Sequence, residues 1–284
     1  MAWRPAFIRS APVRIAVIVI CVLWSLPTLG LLVTSIRNPL EITRTGWWEA
    51  LLNPFREAQW TLANYATVVG TEGMGDAFLN SLIVTIPSTA IPITIAAFAA
   101  YAFAWIKFPG RAILFAIVVG LLVVPLQMAL IPILRLYSDF GLYGTFLGMW
   151  LAHTAFGLPL AIFLLYNFIS QLPRDLFESA AIDGASHFQT FIRVVLPLSI
   201  PALGAFAIFQ FLWVWNDLLI ALVFLGVGED QRVMPTALSL LVGNRGSQWH
   251  ILTAGAFVTM ILPLAVFLLL QRAFVRGILA GSVK

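Results

Sequence analysis

Residues 171–203 read QLPRDLFESAAIDGASHFQTFIRVVLPLSIPAL, and they form the one long polar-containing interval between hydrophobic segments that has its own helical pattern. On a helix over residues 174–183, the apolar side chains form one stripe and the polar side chains occupy the remaining arc. The members of the stripe are Leu176, Phe177, Ala180 and Ala181. The interval therefore predicts an amphipathic helix that projects from the hydrophobic spans.

A glycine is expected to end this helix, and a second helix follows it. Gly184 can adopt a positive φ, which most residues avoid. Ser186 and Gln189 have the spacing of a capping box, which opens a second helix expected to run to Pro197. Ile182 lies on the polar side of the first helix, where a water-exposed helix normally has a polar residue. Such an exposed apolar side chain indicates a docking surface for another protein.

This interval resembles the EAA loop of bacterial ABC importer permeases, in which an acid and small residues precede a glycine and a later L-P pair. Val194 and Leu196-Pro197 follow the glycine at the family spacing, and Ser179 and Val194 replace the alanine and isoleucine that are frequent there. The resemblance implies a coupling helix that fits a cleft on an ATP-hydrolysing subunit. Its residues are Glu178, Ser179, Ala180, Ala181, Ile182, Asp183 and Gly184. An ordinary amphipathic cytoplasmic loop is the alternative.

The composition places the chain in a membrane. Of its 284 residues, 61% are hydrophobic and 10% are charged, whereas a soluble domain has about 25% charged residues. The net charge is +4, but the basic residues are scattered singly, which argues against a nucleic-acid surface. The single cysteine, Cys21, lies in a hydrophobic run and excludes a disulfide or a multi-thiolate metal site within the chain.

Six hydrophobic runs have about the 20 residues needed to cross a bilayer. They cover residues 15–36, 81–105, 112–134, 144–170, 202–226 and 251–270. The first run is longer than a signal-peptide core of about 7 to 15 residues, so we expect it to be retained as a helix. Pro125, Pro132 and Pro159 are expected to kink the third and fourth spans. The sequence therefore predicts an all-α membrane protein with six transmembrane helices.

The basic residues predict which side faces the cytoplasm. Six spans put both termini on one side, together with the 171–203 interval. That side carries Arg4, Arg9, Arg14, Lys107, Arg111, Arg174, Arg193, Arg272, Arg276 and Lys284, and the other side carries Arg37, Arg44, Arg56, Arg135, Arg232 and Arg245. Because a basic excess marks the cytoplasm, we predict cytoplasmic N- and C-termini.

The predicted organisation follows from these spans. A cytoplasmic N-terminal segment, 1–14, precedes the first transmembrane helix, 15–36. An extracytoplasmic segment, 37–76, carries Trp47, Trp48 and Trp60, which suit a membrane interface. A five-helix core, 77–272, contains the cytoplasmic coupling loop 171–201, and a cytoplasmic tail, 273–284, ends the chain.

Further motifs are similar to carbohydrate-type ABC permeases related to the maltose system. They are Asn80-Ser81-Leu82, Pro125-Leu126-Gln127, Gly141-Leu142, Trp215-Asn216-Asp217 and the tail residues 276–284. The resemblance implies the MetI-like fold of type I importer permeases, with a tail that reaches the interface of an ATPase dimer. Gly46-Trp47-Trp48 is similar to permeases for α-glucosides and glucosylglycerol.

Polar residues within the spans are candidates for the substrate path. Asp217 is the only carboxylate in any predicted span, and Gln210, Trp213 and Asp217 lie within about 60° of one another on a helical wheel. An amide, an indole and a carboxylate on one face suit the hydroxyls and the apolar ring face of a sugar. Asn216 belongs to the same motif, and the alternative is that Asp217 and Asn216 hold helices together or reach the outer interface.

Two further polar residues, Gln127 and His153, lie in the third and fourth predicted spans. They are candidates for lining the same path. For His153, a hydrogen-bonded structural role is the alternative.

The sequence contains no G-x-x-x-x-G-K-[ST] motif, so the chain is not itself the ATPase. The resemblance implies a non-catalytic permease subunit of an ATP-driven sugar importer, with no cofactor of its own, in the bacterial cytoplasmic (inner) membrane. Its implied partners are a sister permease, an extracytoplasmic sugar-binding protein and two ATPase subunits that bind ATP and Mg.

One alternative to a glucoside or oligosaccharide importer stays open, and the sequence argues against two others. The open alternative is a permease of the same family for a polyol or glycerol phosphate. An ion-coupled secondary transporter would need several intramembrane acids or broken helix pairs with inverted symmetry. An intramembrane enzyme would need a metal or serine motif, and neither H-x-x-x-H nor G-x-S-x-G occurs.

Overall fold

The computed structural model describes residues 11–56, 59–245 and 247–280, and these are almost entirely helical. Most of the predicted N-terminal segment, residues 1–10, and the end of the predicted tail, residues 281–284, lie outside the described residues.

The helices of the described residues are numbered here in chain order. They are α1 (Ala11–Ser35), α2 (Pro39–Arg44), α3 (Trp47–Leu52), α4 (Ala63–Ala66), α5 (Met74–Trp105), α6 (Arg111–Gly120), α7 (Leu126–Asp139), α8 (Phe146–Ile169), α9 (Arg174–Ile182), α10 (His187–Thr190), α11 (Leu196–Trp215), α12 (Leu218–Ile220), α13 (Met234–Arg245) and α14 (Trp249–Ala280). Short π-helical turns at Thr67–Thr71, Phe191–Val195 and Ala221–Leu225 and a 3₁₀ turn at Leu121–Val123 join or extend them.

Five stretches of the described residues are single helices long and apolar enough to cross a membrane. They are Ala11–Ser35, Met74–Trp105, Phe146–Ile169, His187–Trp215 and Trp249–Leu269. A sixth crossing results if the bent pair Arg111–Val123 and Leu126–Asp139 is one span. The predicted all-α membrane fold is confirmed, although the helix limits differ from the predicted ones. Helix α5 begins at Met74 rather than at 81, and α14 continues as far as Ala280 into the predicted tail 273–284.

The third predicted span, 112–134, is broken rather than kinked. Its two halves are bent by 103°. Val124 has φ −70° and ψ 117°, and Pro125 has φ −62° and ψ 125°, so both residues are extended. The cause is local, because the ring of a proline disfavours helical backbone at the residue before it. Pro132 and Pro159, in contrast, lie inside α7 and α8.

The prediction for the fifth span, 202–226, is wrong at both ends. The helix runs without interruption from His187 to Trp215 over 29 residues, so the second helix of the coupling loop does not end at Pro197. The π-helical turn explains this, because Leu196 N–H bonds to the Phe191 carbonyl and this widened turn makes room for the proline ring. After Trp215 the chain leaves the helix at Asp217, with φ −81° and ψ 99°.

The chain forms two compact units, one of residues 1–75 with 238–260 and one of residues 76–237 with 261–284. The first unit has a buried arginine at its centre. Arg37 is 1% exposed, and its guanidinium donates to the carbonyls of Glu41, Thr45 and Gly46 and to the Thr45 hydroxyl. Burial lowers the pKa of Arg37, and the nearby Glu41 carboxylate opposes this shift. The arginine therefore fixes the path of the chain from α1 to α3.

The second unit is built on close packing among α5, α8 and α11. Small residues of α5, such as Ala96 and Ala100, are fully buried against Leu165 of α8 and Phe206 of α11. A second buried cluster includes Val84, Met149, Val214 and Phe224. Alanine allows helix axes to approach closely, which suits association inside a bilayer.

Candidate coupling and translocation sites

The turn after α9 has the geometry that its sequence predicts. Gly184 has φ +73°, in the left-handed region that favours glycine. The Ser186 hydroxyl accepts from Gln189 N–H at 3.3 Å, and the Gln189 side-chain oxygen accepts from Ser186 N–H at 2.9 Å. The predicted capping box is therefore confirmed, and it fixes the angle at which the chain enters α10.

Most of the predicted coupling residues are exposed on α9 and on the turn that follows it. Ile182 is 87% exposed, and Glu178, Ser179, Ala181, Asp183 and Gly184 are exposed with it. Ala180 differs, because it is buried against its own chain. The small side chain of Ala180 allows α9 to pack closely against the rest of the chain. Ala180 therefore lies beneath the exposed surface that the other six coupling residues form.

An aromatic stack attaches α9 to the end of α5. The rings of Phe177 and Trp105 have centroids 3.5 Å apart and an interplanar angle of 17°. The Trp105 indole N–H donates to the Ile169 carbonyl at the end of α8, at 3.0 Å. The indole therefore connects α9 with two of the long helices.

A second attachment joins α10 to α5. The Tyr101 hydroxyl and His187 Nδ1 form a hydrogen bond of 3.1 Å, and Phe191 stacks on Phe98 with centroids 4.5 Å apart. Sequence reasoning did not single out Trp105, Tyr101 or Phe98. Their spacing of three and four residues places them on one face of α5, and this aromatic stripe was the available signal.

A cavity of about 600 Å³ opens at the break between the two halves of the third span. This volume lies within the usual range of about 300 to 1,000 Å³ for small-molecule pockets. Gln210 and Trp213 of α11, both predicted path residues, contribute to its lining. The other walls are mainly apolar and include Val124, Ile133, Phe156, Leu160 and Phe209.

The Gln210 amide is held at the cavity wall by a close fit. Gln210 is 1% exposed, and its Nε2 donates to the Ser88 carbonyl of α5 at 3.2 Å. Gly157 of α8 faces this amide, and a Cβ atom at position 157 would lie 2.8 Å from the amide nitrogen and oxygen. The glycine therefore makes the room in which the amide is oriented.

His153 lies behind Trp213 rather than at the cavity surface. Its ring is fully buried and packs edge-on against the Trp213 ring, with centroids 5.5 Å apart and an interplanar angle of 88°. Within the described part of the chain, neither ring nitrogen has a hydrogen-bond partner. His153 is therefore not part of the cavity surface, but it packs against the Trp213 ring that is.

The predicted grouping of Gln210, Trp213 and Asp217 on one helical face is wrong. Helix α11 ends before Asp217, whose carboxylate accepts from Ile220 N–H at 2.9 Å and caps α12. The Asn216 amide donates to the Leu212 carbonyl at 2.7 Å. Both side chains therefore bond to backbone groups three or four residues away in their own segment, which is local capping and not the helix-to-helix contact of the structural alternative. The described residues that line the cavity do not include Gln127, which is exposed on α7.

The close fit at Gly157 predicts a stability effect. We expect Gly157→Ala to displace the Gln210 amide and to lower the free energy of unfolding by about 1 to 3 kcal/mol, through strain and a lost buried hydrogen bond. The matched control is Gly204→Ala, because no atom lies within 4 Å of its added Cβ. Thermal unfolding in detergent should show a lower midpoint for Gly157→Ala alone. Equal midpoints for the two variants would contradict the fit.

Comparisons of the sequence and the fold with known proteins identify the family of this chain. Residues 92–280 match the family model described as "Binding-protein-dependent transport system inner membrane component". An osmoprotective compounds uptake permease protein of Synechocystis sp. is 58% identical, over 99% of this chain and 94% of that protein. An alpha-glucoside transport system permease protein of Rhizobium meliloti is 44% identical, over 96% of each. A chain of a bacterial ABC transporter that imports alginate has a similar fold, with a TM-score of 0.72 at 20% identity over 96% of this chain and 100% of that one.

Proposed function

Because the chain belongs to the family of inner membrane components of binding-protein-dependent transport systems, we propose that it is the permease subunit of an ATP-driven importer for a glucoside or a related oligosaccharide. The observation that carries this proposal is the similarity along nearly the whole chain to two permeases, one for osmoprotective compounds and one for alpha-glucosides. The motif Gly46-Trp47-Trp48, similar to permeases for α-glucosides and glucosylglycerol, supports the same substrate class.

The energy for transport comes from partner subunits in this proposal. The sequence has no phosphate-binding loop, so two ATPase subunits bind ATP and Mg and dock on the exposed residues around Glu178 and Ile182. The stack of Phe177 on Trp105 and the bond between His187 and Tyr101 then carry the movement of the docked surface into α5 and α11. Such rigid-body movement is the common means of alternating access.

The cavity at the broken third span is the part of the sugar path that this chain contributes. Its apolar walls and the Trp213 ring suit the apolar face of a sugar ring, while the buried Gln210 amide, bonded to the Ser88 carbonyl, supports the cavity wall from behind. A sister permease supplies the other half of the path, and an extracytoplasmic binding protein delivers the sugar. The excess of basic residues on the side of the termini supports cytoplasmic termini in a bacterial cytoplasmic membrane.

Uptake by the complete transporter tests this function. Proteoliposomes that contain ATP should take up labelled α-glucosides when the binding protein is added, and unlabelled glucosides should compete better than polyols or glycerol phosphate. We expect Trp213→Leu to raise the KM for uptake by up to about tenfold, since one aromatic contact contributes about 0.5 to 1.5 kcal/mol beyond its buried area.

The matched control for this test is Phe211→Leu. Phe211 lies on the same helix and stacks on Trp215 rather than lining the cavity. An unchanged KM in Trp213→Leu would remove Trp213 from the path. Uptake of polyols in preference to glucosides would overturn the substrate class.

A further inference from the structure

The segment after α1 exposes a continuous set of large apolar side chains. Trp48, Leu51 and Leu52 lie within about a 100° arc of α3, and Phe55 follows in the next turn. Phe55 is 99% exposed and Leu52 is 71% exposed. Ala50, on the opposite face of α3, is fully buried. These four exposed residues are called the α3 apolar stripe below.

The position of α3 along α1 gives the depth of this stripe. Trp47 of α3 packs on Gly30 of α1, where an added Cβ would lie 2.9 Å from the indole ring. Gly30 precedes the end of α1 at Ser35 by about 7.5 Å of helix rise. Helix α1 is long and apolar enough to cross a membrane, so we expect its last turns, and α3 packed against them, at the depth where lipid headgroups meet acyl chains.

The chemistry of the segment fits that depth. The α3 apolar stripe contains no charged residue, and a tryptophan with large aliphatic neighbours is typical of a membrane–water boundary. Two basic residues lie in the same segment, Arg44 with 67% and Arg56 with 46% of the side chain exposed. Both pair with Glu41, so their charges are partly balanced within the segment.

We propose that α3 is an interfacial helix, with the α3 apolar stripe inserted among the lipids at the boundary where α1 ends. In this arrangement, the hydrogen bonds of Arg37 hold the chain between α1 and α3 in place, and the Trp47 ring packs α3 against α1. The segment thus anchors the end of α1 at a set depth in the bilayer. The proposal rests on the membrane assignment and does not depend on which solute is transported.

Collision measurements with a nitroxide label test the location directly. Cys21 is the only cysteine of the chain, so Cys21→Ser with Phe55→Cys gives one labelling site in the complete transporter, reconstituted with cysteine-free partner subunits in proteoliposomes. Oxygen partitions into lipid and a nickel chelate stays in water. We expect the oxygen-to-nickel collision ratio at position 55 to be at least several-fold higher than at a water-exposed control site.

The control site is Glu229→Cys in the same cysteine-free background, because the Glu229 side chain is 91% exposed and charged. A ratio at position 55 equal to that of the control would place the stripe in water and overturn the proposal. Low collision rates with both reagents would show that a protein surface covers the stripe, which would also overturn it. Phe55→Cys removes little packing, and Leu52→Cys provides a second site with the same expected result.

Discussion

Replacing Gly184 with valine is expected to remove most of the coupled uptake while the chain still assembles in the membrane. Gly184 has φ +73° and no atom lies within 4 Å of an added Cβ, so the strain arises from the backbone alone. A left-handed conformation costs roughly 1 to 2 kcal/mol for an ordinary side chain, and valine is less tolerant still. The turn would relax and reorient the exposed face of α9, so we expect uptake to fall about tenfold or more.

Asparagine at the same position is the matched control, because it tolerates the left-handed region. Gly184→Asn should keep most of the uptake. Glu178→Lys tests the surface itself, since it reverses an exposed charge and leaves the turn intact. Both ATP hydrolysis and uptake should be measured, together with copurification of the ATPase subunits. Full transport by both Gly184→Val and Glu178→Lys would remove the coupling assignment.

The second large effect is expected at the stack of Phe177 on Trp105. Phe177→Ala removes a half-buried ring that contacts the indole at a centroid distance of 3.5 Å, and such a loss costs about 2 kcal/mol or more. Helix α9 would then move without carrying α5 with it. We expect the ratio of sugar taken up to ATP hydrolysed to fall about tenfold, whereas ATP hydrolysis itself continues.

Conservative variants separate coupling from stability. Phe177→Tyr keeps the stacked ring and should restore the ratio. Trp105→Phe keeps the stack but loses the N–H donor to the Ile169 carbonyl, so it should lie between the original chain and Trp105→Leu. If Phe177→Ala lowered ATP hydrolysis and uptake in equal proportion, the stack would be structural support rather than a coupling contact.

The structure of the coupling loop could be predicted from the sequence because it depends on local interactions. The helix over Arg174–Ile182, the glycine turn and the capping box each depend on residues within a few positions of one another, and the structure has all three. The burial of Ala180 could not be predicted from the sequence, because it depends on how α9 packs against the rest of the chain. For the same reason, the stacking of Phe177 on Trp105 could not be predicted.

Hydropathy could not locate the breaks within apolar runs. The run that includes Trp215 continues through Leu225, so composition alone extended the fifth span across Asp217. The better signal was Asp217 as an N-cap residue, three positions before the Ile220 N–H that it accepts from. At Pro125 the sequence indicated a bend, but the angle of 103° depends on two consecutive extended residues.

The uninterrupted helix from His187 to Trp215 has a consequence for how the transporter can be gated. Its 29 residues span about 43 Å, with the His187 attachment at one end and the cavity residues Gln210 and Trp213 near the other. If the helix axis tilts by about 5° around one end, the other end moves by about 4 Å. If the helix moves as one body, a movement at its His187 end would displace Gln210 and Trp213 at the cavity, so a single helix would link the coupling loop to the cavity wall.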